Sequence, residues 1–82
     1  MEYIIRTAGQ LAIALRSRRR QRGFTQAEVG KAIGLLPKTV SGLETDPERA
    51  LLRSFFQLLS ALNLELVLRP KGESHSDSSL EW

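Results

Sequence analysis

Apolar side chains near the start of the chain follow the three-to-four-residue spacing of an amphipathic helix. Leu11 and Leu15 stand one turn apart with alanines beside them, which predicts a narrow apolar stripe. Thr7 and Gln10 have the spacing of a capping box, in which each side chain accepts a hydrogen bond from the other residue's backbone N–H. Gly23 tolerates the left-handed backbone that often follows a helix. The pattern therefore predicts a first helix over residues 8–22.

The next stretch predicts two short helices separated by a tight turn. Thr25 and Glu28 repeat the capping-box spacing and mark the start of a second helix. This helix is expected to end just before Gly34, which can adopt the positive φ of a helix terminus. Pro37 is well placed as the first residue of a third helix over residues 37–44, because its ring fixes φ at a helical value.

The remaining apolar positions predict a fourth helix and one strand. The pattern of residues 50–62 predicts a helix that places Leu52, Phe55, Leu59 and Leu62 on one face, with Leu51, Phe56 and Leu58 beside it. A stripe this wide is expected to serve both the core and a second surface, most simply a twin subunit. After Asn63, a candidate C-terminal cap, residues 64–69 alternate with period two and predict a strand. That strand is expected to pair with residues 3–5 or with its equivalent in a second chain.

Composition and charge divide the chain into a body and a tail. The 82 residues suffice for one small domain, and the absence of Cys and the single histidine, His75, predict neither disulfides nor a metal site. Residues 1–71 contain twelve Lys and Arg against six Asp and Glu, a net charge of +6, whereas residues 72–82 carry −3. We therefore expect a basic folded domain at 1–71, suited to a polyanionic partner, and a disordered tail at 72–82. A cytoplasmic location is expected, since no segment is typical of a membrane span or a signal peptide.

Two short helices joined by a Gly-containing turn are the arrangement of a helix-turn-helix, whose second helix can enter the major groove of DNA. An ordinary helical hairpin shares this arrangement, but residues 7–62 also resemble the Cro and C1 repressor class of helix-turn-helix domains. The matching residues are Arg19, Gly23, Thr25, Gln26, Glu28, Gly34, Thr39, Val40, Ser41, Leu43 and Glu44. The resemblance implies an all-α bundle with a Cro/C1 repressor-like helix-turn-helix, to which the predicted C-terminal strand is added for pairing in a dimer.

The resemblance also implies roles for individual residues. The implied DNA-binding positions are Arg20, Thr25, Gln26, Pro37, Lys38, Thr39, Ser41 and Gly42. The third helix supplies the base-facing positions, with Thr39 near a phosphate or a thymine methyl group, and Gln26 contacts a phosphate and braces that helix. Arg19 and Glu44 are implied to form a buried ion pair between the first and third helices. Lys38 is the strongest candidate for a guanine contact, the alternatives being a phosphate contact or free solvation.

The basic cluster at the end of the first helix, which includes Arg20, has two interpretations. Its arginines either face phosphates or complement the helix dipole in solvent.

A closer resemblance includes the end of the chain. Residues 7–44 match without gaps, and the pattern continues with the Phe55–Phe56 pair, a single strand and a polar tail ending in Leu80-Glu81-Trp82. These features together resemble the HipB-type antitoxins, the DNA-binding partners of HipA kinase toxins. The resemblance implies a homodimer joined through residues 64–69 and repression of its own operon at a near-palindromic double-stranded operator. It also implies neutralisation of a HipA-like serine/threonine kinase toxin, with Trp82 entering a pocket on it.

The same residues allow three other functions to be compared with this one. A phage-type repressor shares the DNA chemistry but has no use for the Leu-Glu-Trp ending. A protein-interaction adaptor is favoured by Pro37 and Gly42, which offer no hydrogen-bonding side chain for base readout. An enzyme is disfavoured because the serines of the body have no histidine partner and no Gly-rich phosphate loop is present. We therefore predict no catalytic residues and no cofactor.

Overall fold

The fold was obtained as a computed structural model that describes residues 2–71. It contains α1 (Ala8–Gln21), α2 (Gln26–Ile33), α3 (Pro37–Thr45), a 3₁₀ turn (Pro47–Arg49) and α4 (Leu52–Ala61). Over this range the single chain forms no β-strand, and the predicted all-α helical bundle is confirmed. The predicted tail at 72–82 lies outside the described residues, so the division into body and tail stays a prediction.

The starts of α1 and α2 lie where the capping boxes predict them. The N–H of Gln10 donates to Thr7 Oγ1 at 3.1 Å, and the N–H of Thr7 donates to Gln10 Oε1 at 3.1 Å. The same reciprocal bonds join Thr25 and Glu28 at 3.0 and 2.9 Å. Each box satisfies two N–H groups that a helix start would otherwise leave unpaired, and both depend only on residues three apart.

The core is formed where all four helices meet. Its buried members are Leu15 from α1, Val29 from α2, Val40 and Leu43 from α3, and Leu58, Leu59 and Leu62 at the end of α4. α3 packs against α1, α2 and α4. The position of this short helix is therefore set by the whole bundle rather than by its own propensity.

The α2–α3 crossing is close because residue 30 is glycine. A Cβ at Gly30 would lie 2.5 Å from the carbonyl oxygen of Leu35 and 3.3 Å from a methyl group of Val40. The N–H of Leu35 donates to the carbonyl of Gly30 at 2.8 Å, which fixes the turn against the end of α2. A larger residue would push the turn away from α2, so the absence of a side chain here sets the spacing of the two helices.

α4 differs from its prediction at its start and on one face. It begins at Leu52, two residues later than expected, because residues 47–49 form a 3₁₀ turn and Ala50 is extended at φ −82° and ψ 154°. Of the four residues predicted to share one apolar face, Leu59 and Leu62 are buried and Phe55 packs against the core, whereas Leu52 is 66% exposed. Leu51 and Phe56 are exposed too, so α4 offers apolar surface outside the core, as its wide stripe indicated.

The segment after α4 leaves the bundle through a fixed turn. Asn63 adopts a left-handed φ of 56°, and the N–H of Leu64 donates to the carbonyl of Leu59 at 2.8 Å. Arg18 Nε on α1 donates to the carbonyl of Leu62 at 2.9 Å, which ties this turn to the first helix.

Within the described chain, residues 65–69 make no backbone hydrogen bond, and residues 3–5 do not pair with them. Arg69 Nη2, at the end of one segment, and Glu2 Oε1, just before the other, are 3.9 Å apart. The predicted pairing of residues 64–69 with a second chain stays a prediction. None of the helices described is long and apolar enough to cross a membrane.

Candidate nucleic-acid interface

α2, the turn at residues 34–36 and α3 form a helix-turn-helix unit. Gly34 ends α2 with φ +73°, and its N–H points back to the last turn of the helix. The chain then reverses so that α3 packs across α2 at the Gly30 contact. This geometry presents one helix, α3, as the outer element of a rigid pair.

α3 has a buried face and a solvent face. Val40 and Leu43 are fully buried and Glu44 is 1% exposed, whereas Pro37 and Lys38 are exposed. Thr39, Ser41 and Gly42 are half-buried. The four predicted base-facing residues and Thr39 are thus brought together on one helix, outside its buried positions. Their contacts with DNA stay a prediction.

A buried ion pair holds the end of α3 to α1. Arg19 Nε donates to Glu44 Oε2 at 2.7 Å and Nη2 donates to Oε1 at 3.0 Å, while Nη1 donates to the carbonyl of Phe24 at 2.8 Å. The hydrogen bonds to Glu44 raise the pKa of Arg19 above its ordinary value, burial opposes this shift, and the negative charge of Glu44 adds to it. Arg19 therefore stays charged throughout the neutral pH range, and the geometry matches the ion pair that the family resemblance implies.

Gln26 joins the start of α2 to the same carboxylate. Its Nε2 donates to Glu44 Oε1 at 3.1 Å, and the side chain is half-buried. The bracing contact that the resemblance implies is thus present. This bond uses one N–H of the amide, so one N–H donor remains for an acceptor outside the protein, such as a phosphate oxygen.

The other two candidate phosphate contacts lie on the helices around α3. Thr25 is exposed, and its Oγ1 accepts the capping bond from Glu28, so its hydroxyl hydrogen can still be donated outward. Arg20 is exposed on α1 and makes no ion pair with any described residue. The neighbouring Arg18 and Arg19 are held by internal hydrogen bonds, so of these three arginines Arg20 is the candidate for a phosphate contact.

Two features of this region were not predicted from the sequence. Arg18 holds the carbonyl of Leu62, a residue 44 positions away, and no local pattern signals such a contact. Leu36, directly before α3, is 65% exposed, although leucine in a turn between two core helices is expected to pack inward.

Trp82, the predicted toxin contact, lies outside the described residues. Among residues 2–71 no group of His, Cys, Asp or Glu side chains is placed to hold a metal ion.

The fold and the site define a helix-turn-helix protein of the Cro and C1 repressor class. The helix-turn-helix family profile matches residues 15–68, and the antitoxin HipB of Escherichia coli K12 is 38% identical over 77 residues, which is 89% of this chain and 88% of that protein. The chain belongs to the HipB-type antitoxins, a family of DNA-binding helix-turn-helix regulators. Antitoxin HipB of Escherichia coli CFT073 is 36% identical over the same share of this chain and 82% of its own length.

Solved structures show the same fold. A complex of a HipB variant with an O2 20mer superposes with a TM-score of 0.81 at 37% identity, covering 87% of this chain and 99% of that one. A HipA–HipB–O2–O3 complex superposes with a TM-score of 0.79 at 37% identity, covering 83% and 96%. The similarity therefore extends over almost the whole of the solved chains.

Proposed function

We propose that this chain is a homodimeric, sequence-specific repressor that binds double-stranded DNA in its own operon and acts as the antitoxin of a HipA-like serine/threonine kinase toxin. The observation that carries the proposal is the position of α3, whose polar and basic face is open while its end is locked by Arg19, Gln26 and Glu44. A helix held in this way enters a groove without reorganising. The relatives whose structures are described as complexes with 20mers and with HipA support both halves of the proposal.

α3 fits the role of a recognition helix in the major groove, which is about 12 Å wide. In this arrangement Pro37, Lys38, Ser41 and Gly42 face the base edges, and Thr39 lies beside a phosphate or a thymine methyl group. Lys38 is exposed and forms no ion pair with the part of the chain described, so its ammonium is free to bind acceptors on guanine.

Phosphate contacts are proposed for residues that keep a free donor. Thr25 retains its hydroxyl hydrogen, Gln26 retains one amide N–H, and Arg20 retains its guanidinium. Such contacts position the protein on the duplex and add salt-dependent affinity, because each neutralised phosphate releases condensed counterions.

The segment 65–69 supports a homodimer. Its backbone has no hydrogen-bond partner among residues 2–71, and Leu66, Val67 and Leu68 are 51%, 65% and 88% exposed. Pairing with the equivalent segment of a second chain would satisfy these backbone groups and cover the apolar side chains. Two recognition helices would then lie in successive major grooves about 34 Å apart, which requires a near-palindromic operator.

The toxin half of the proposal concerns the acidic tail. Residues 72–82 carry a charge of −3 and end in Leu80-Glu81-Trp82. Large aromatic residues are favoured anchors in partner pockets, and Trp82 follows a segment of mostly polar sequence. We assign Trp82 to a pocket of the toxin.

DNA binding is tested by titrating the protein into the duplex upstream of its own gene and into a scrambled duplex, at several salt concentrations. We expect tighter binding to the native duplex and a steep salt slope. Lys38→Ala is expected to weaken specific binding by about 1–3 kcal/mol if Lys38 reads a base, or to reduce the salt slope by about one unit if it binds a phosphate. Lys31→Ala, which removes an exposed cation outside the proposed contacts, is the matched control. Equal binding to both duplexes would refute the repressor function.

Toxin binding is tested by capturing tagged full-length protein and a Trp82-deleted variant from native lysate and identifying co-purifying proteins by mass. A kinase-like partner held by the full-length chain and reduced in the deletion is expected. Removal of residues 72–82 should leave DNA binding intact. Recovery of DNA without a stoichiometric protein would contradict the antitoxin function while leaving the repressor function standing.

A further inference from the structure

Leu36 neither caps α3 nor packs into the core. It is the N-cap residue of α3, a position where Ser, Thr, Asp or Asn normally bonds to a free N–H of the helix. Leucine cannot form this bond, and α3 has no side-chain cap. The side chain is 65% exposed, so the fold gains little from burying it. This residue serves the fold poorly on both counts, which points to a role outside the fold.

The environment of Leu36 favours an apolar contact over an anion contact. Pro37, the next residue, is also exposed and has no N–H. The N–H groups of Thr39 and Val40 donate to the carbonyl of Leu36 at 2.9 and 3.2 Å. The backbone at this end of α3 therefore has little donor capacity for a phosphate, and Leu36 and Pro37 present a small apolar surface there.

The apolar surface of Leu36 and Pro37 is continuous with the proposed base-reading face. Lys38 follows directly in the same turn and is exposed, so the apolar surface is bordered by a cation. In the major groove the only apolar group on a base edge is the C5-methyl group of thymine. On the edge of thymine this methyl group lies beside the acceptor O4, which a lysine can bind. At the start of α3 the apolar residues Leu36 and Pro37 likewise lie beside the cationic Lys38.

We propose that Leu36 contacts a thymine methyl group in each operator half-site, and that this contact supplies specificity that hydrogen bonds do not. The inference rests on the proposed DNA-binding function and adds to it the residue and the base that it reads. Burying one methyl group in an apolar contact corresponds to about a fourfold gain in affinity per contact.

The experiment first selects binding sequences for the wild-type protein from a randomised duplex pool. Each thymine of the selected site is then replaced by deoxyuridine, which removes only the C5-methyl group, and binding is measured for the wild type, Leu36→Ala and Leu36→Ser. In each half-site we expect one position at which deoxyuridine weakens wild-type binding about fourfold. The same deoxyuridine should leave the binding of both variants unchanged. Ile13→Ala, at a residue 59% exposed on α1, is the control and should keep the methyl dependence.

Leu36→Ser also separates a binding role from a structural one. Serine restores a capping side chain, so this variant is expected to unfold at a higher urea concentration than the wild type while losing thymine discrimination. Selected sites without a methyl-dependent position, or a dependence that persists in Leu36→Ala, would overturn the inference and leave the repressor function intact. Failure of the wild type to select any sequence would instead overturn the proposed function and the inference with it.

Discussion

Replacing Arg19 with methionine is expected to be among the most destabilising single changes in this protein. Arg19 donates to both carboxylate oxygens of Glu44 and to the carbonyl of Phe24 at 2.7–3.0 Å. The side chain of Glu44 is 1% exposed. Methionine fills the volume of the arginine stem but leaves a buried carboxylate whose only remaining side-chain partner among the described residues is Gln26.

Removing one partner of a buried ion pair costs about 3–5 kcal/mol, because the other charge stays buried without compensation. A chain of 82 residues has a total free energy of unfolding of about 4–12 kcal/mol. Arg19→Met is therefore expected to remove a large part of the stability and to lower Tm by at least about 12 °C. Replacing both charges, in the double variant Arg19→Met and Glu44→Leu, should recover much of this loss, since no unpaired charge is left.

The assay is equilibrium unfolding in urea, followed by circular dichroism at one fixed protein concentration, because the stability of the proposed dimer would depend on concentration. Arg49→Met is the matched control. Arg49 lies 3.8 Å from Asp46 with a side chain 85% exposed, so its loss should cost less than about 1 kcal/mol. A loss for Arg19→Met as small as for Arg49→Met would refute the reasoning that the buried pair locks α3 in place.

Three further predictions concern stability and use the same unfolding measurement. Gly30→Ala should lower the free energy of unfolding by about 1–3 kcal/mol, because the new methyl group meets a backbone carbonyl at 2.5 Å. The control Gly9→Ala has no comparable neighbour and should be neutral or stabilising by up to about 1 kcal/mol, so equal effects would contradict the close α2–α3 crossing. Thr25→Ala should lower the free energy of unfolding by about 1 kcal/mol, because the side chain that caps α2 is lost. Thr25→Ser should retain the cap and the stability, so equal losses in the two variants would argue against capping. Arg18→Met should cost about 1.5 kcal/mol through loss of its bond to a backbone carbonyl, and an unchanged midpoint would show that this bond is unimportant.

Local signals account for the parts of the fold that the sequence predicts well. The two capping boxes and Gly34 act within a few residues, so the starts of α1 and α2 and the end of α2 could be located without tertiary information. The start of α4 could not, because the helical pattern of residues 50–62 gives no sign that Pro47–Arg49 forms a separate 3₁₀ turn. Leu52, which that pattern places within the helix, is instead its first residue and is 66% exposed.

The features of the candidate site also differ in how far local sequence could predict them. The faces of α3 follow from the spacing of Val40 and Leu43, which any helical reading places inward. The Arg19–Glu44 pair joins residues 25 positions apart, and only the family resemblance indicated it. The bond from Arg18 to Leu62 has neither a local pattern nor a family signal, since a backbone carbonyl can be held by many side chains.

Arg18 and Arg19 are neighbours on α1, yet they hold two different parts of the chain. Arg18 fixes the turn from which residues 64–69 leave the bundle, and Arg19 fixes the end of α3 through Glu44. In the proposed dimer, the first contact sets where the two chains meet and the second sets where each chain meets DNA. In that dimer, a single turn of α1 would therefore fix the distance between the two recognition helices, and with it the number of base pairs between operator half-sites.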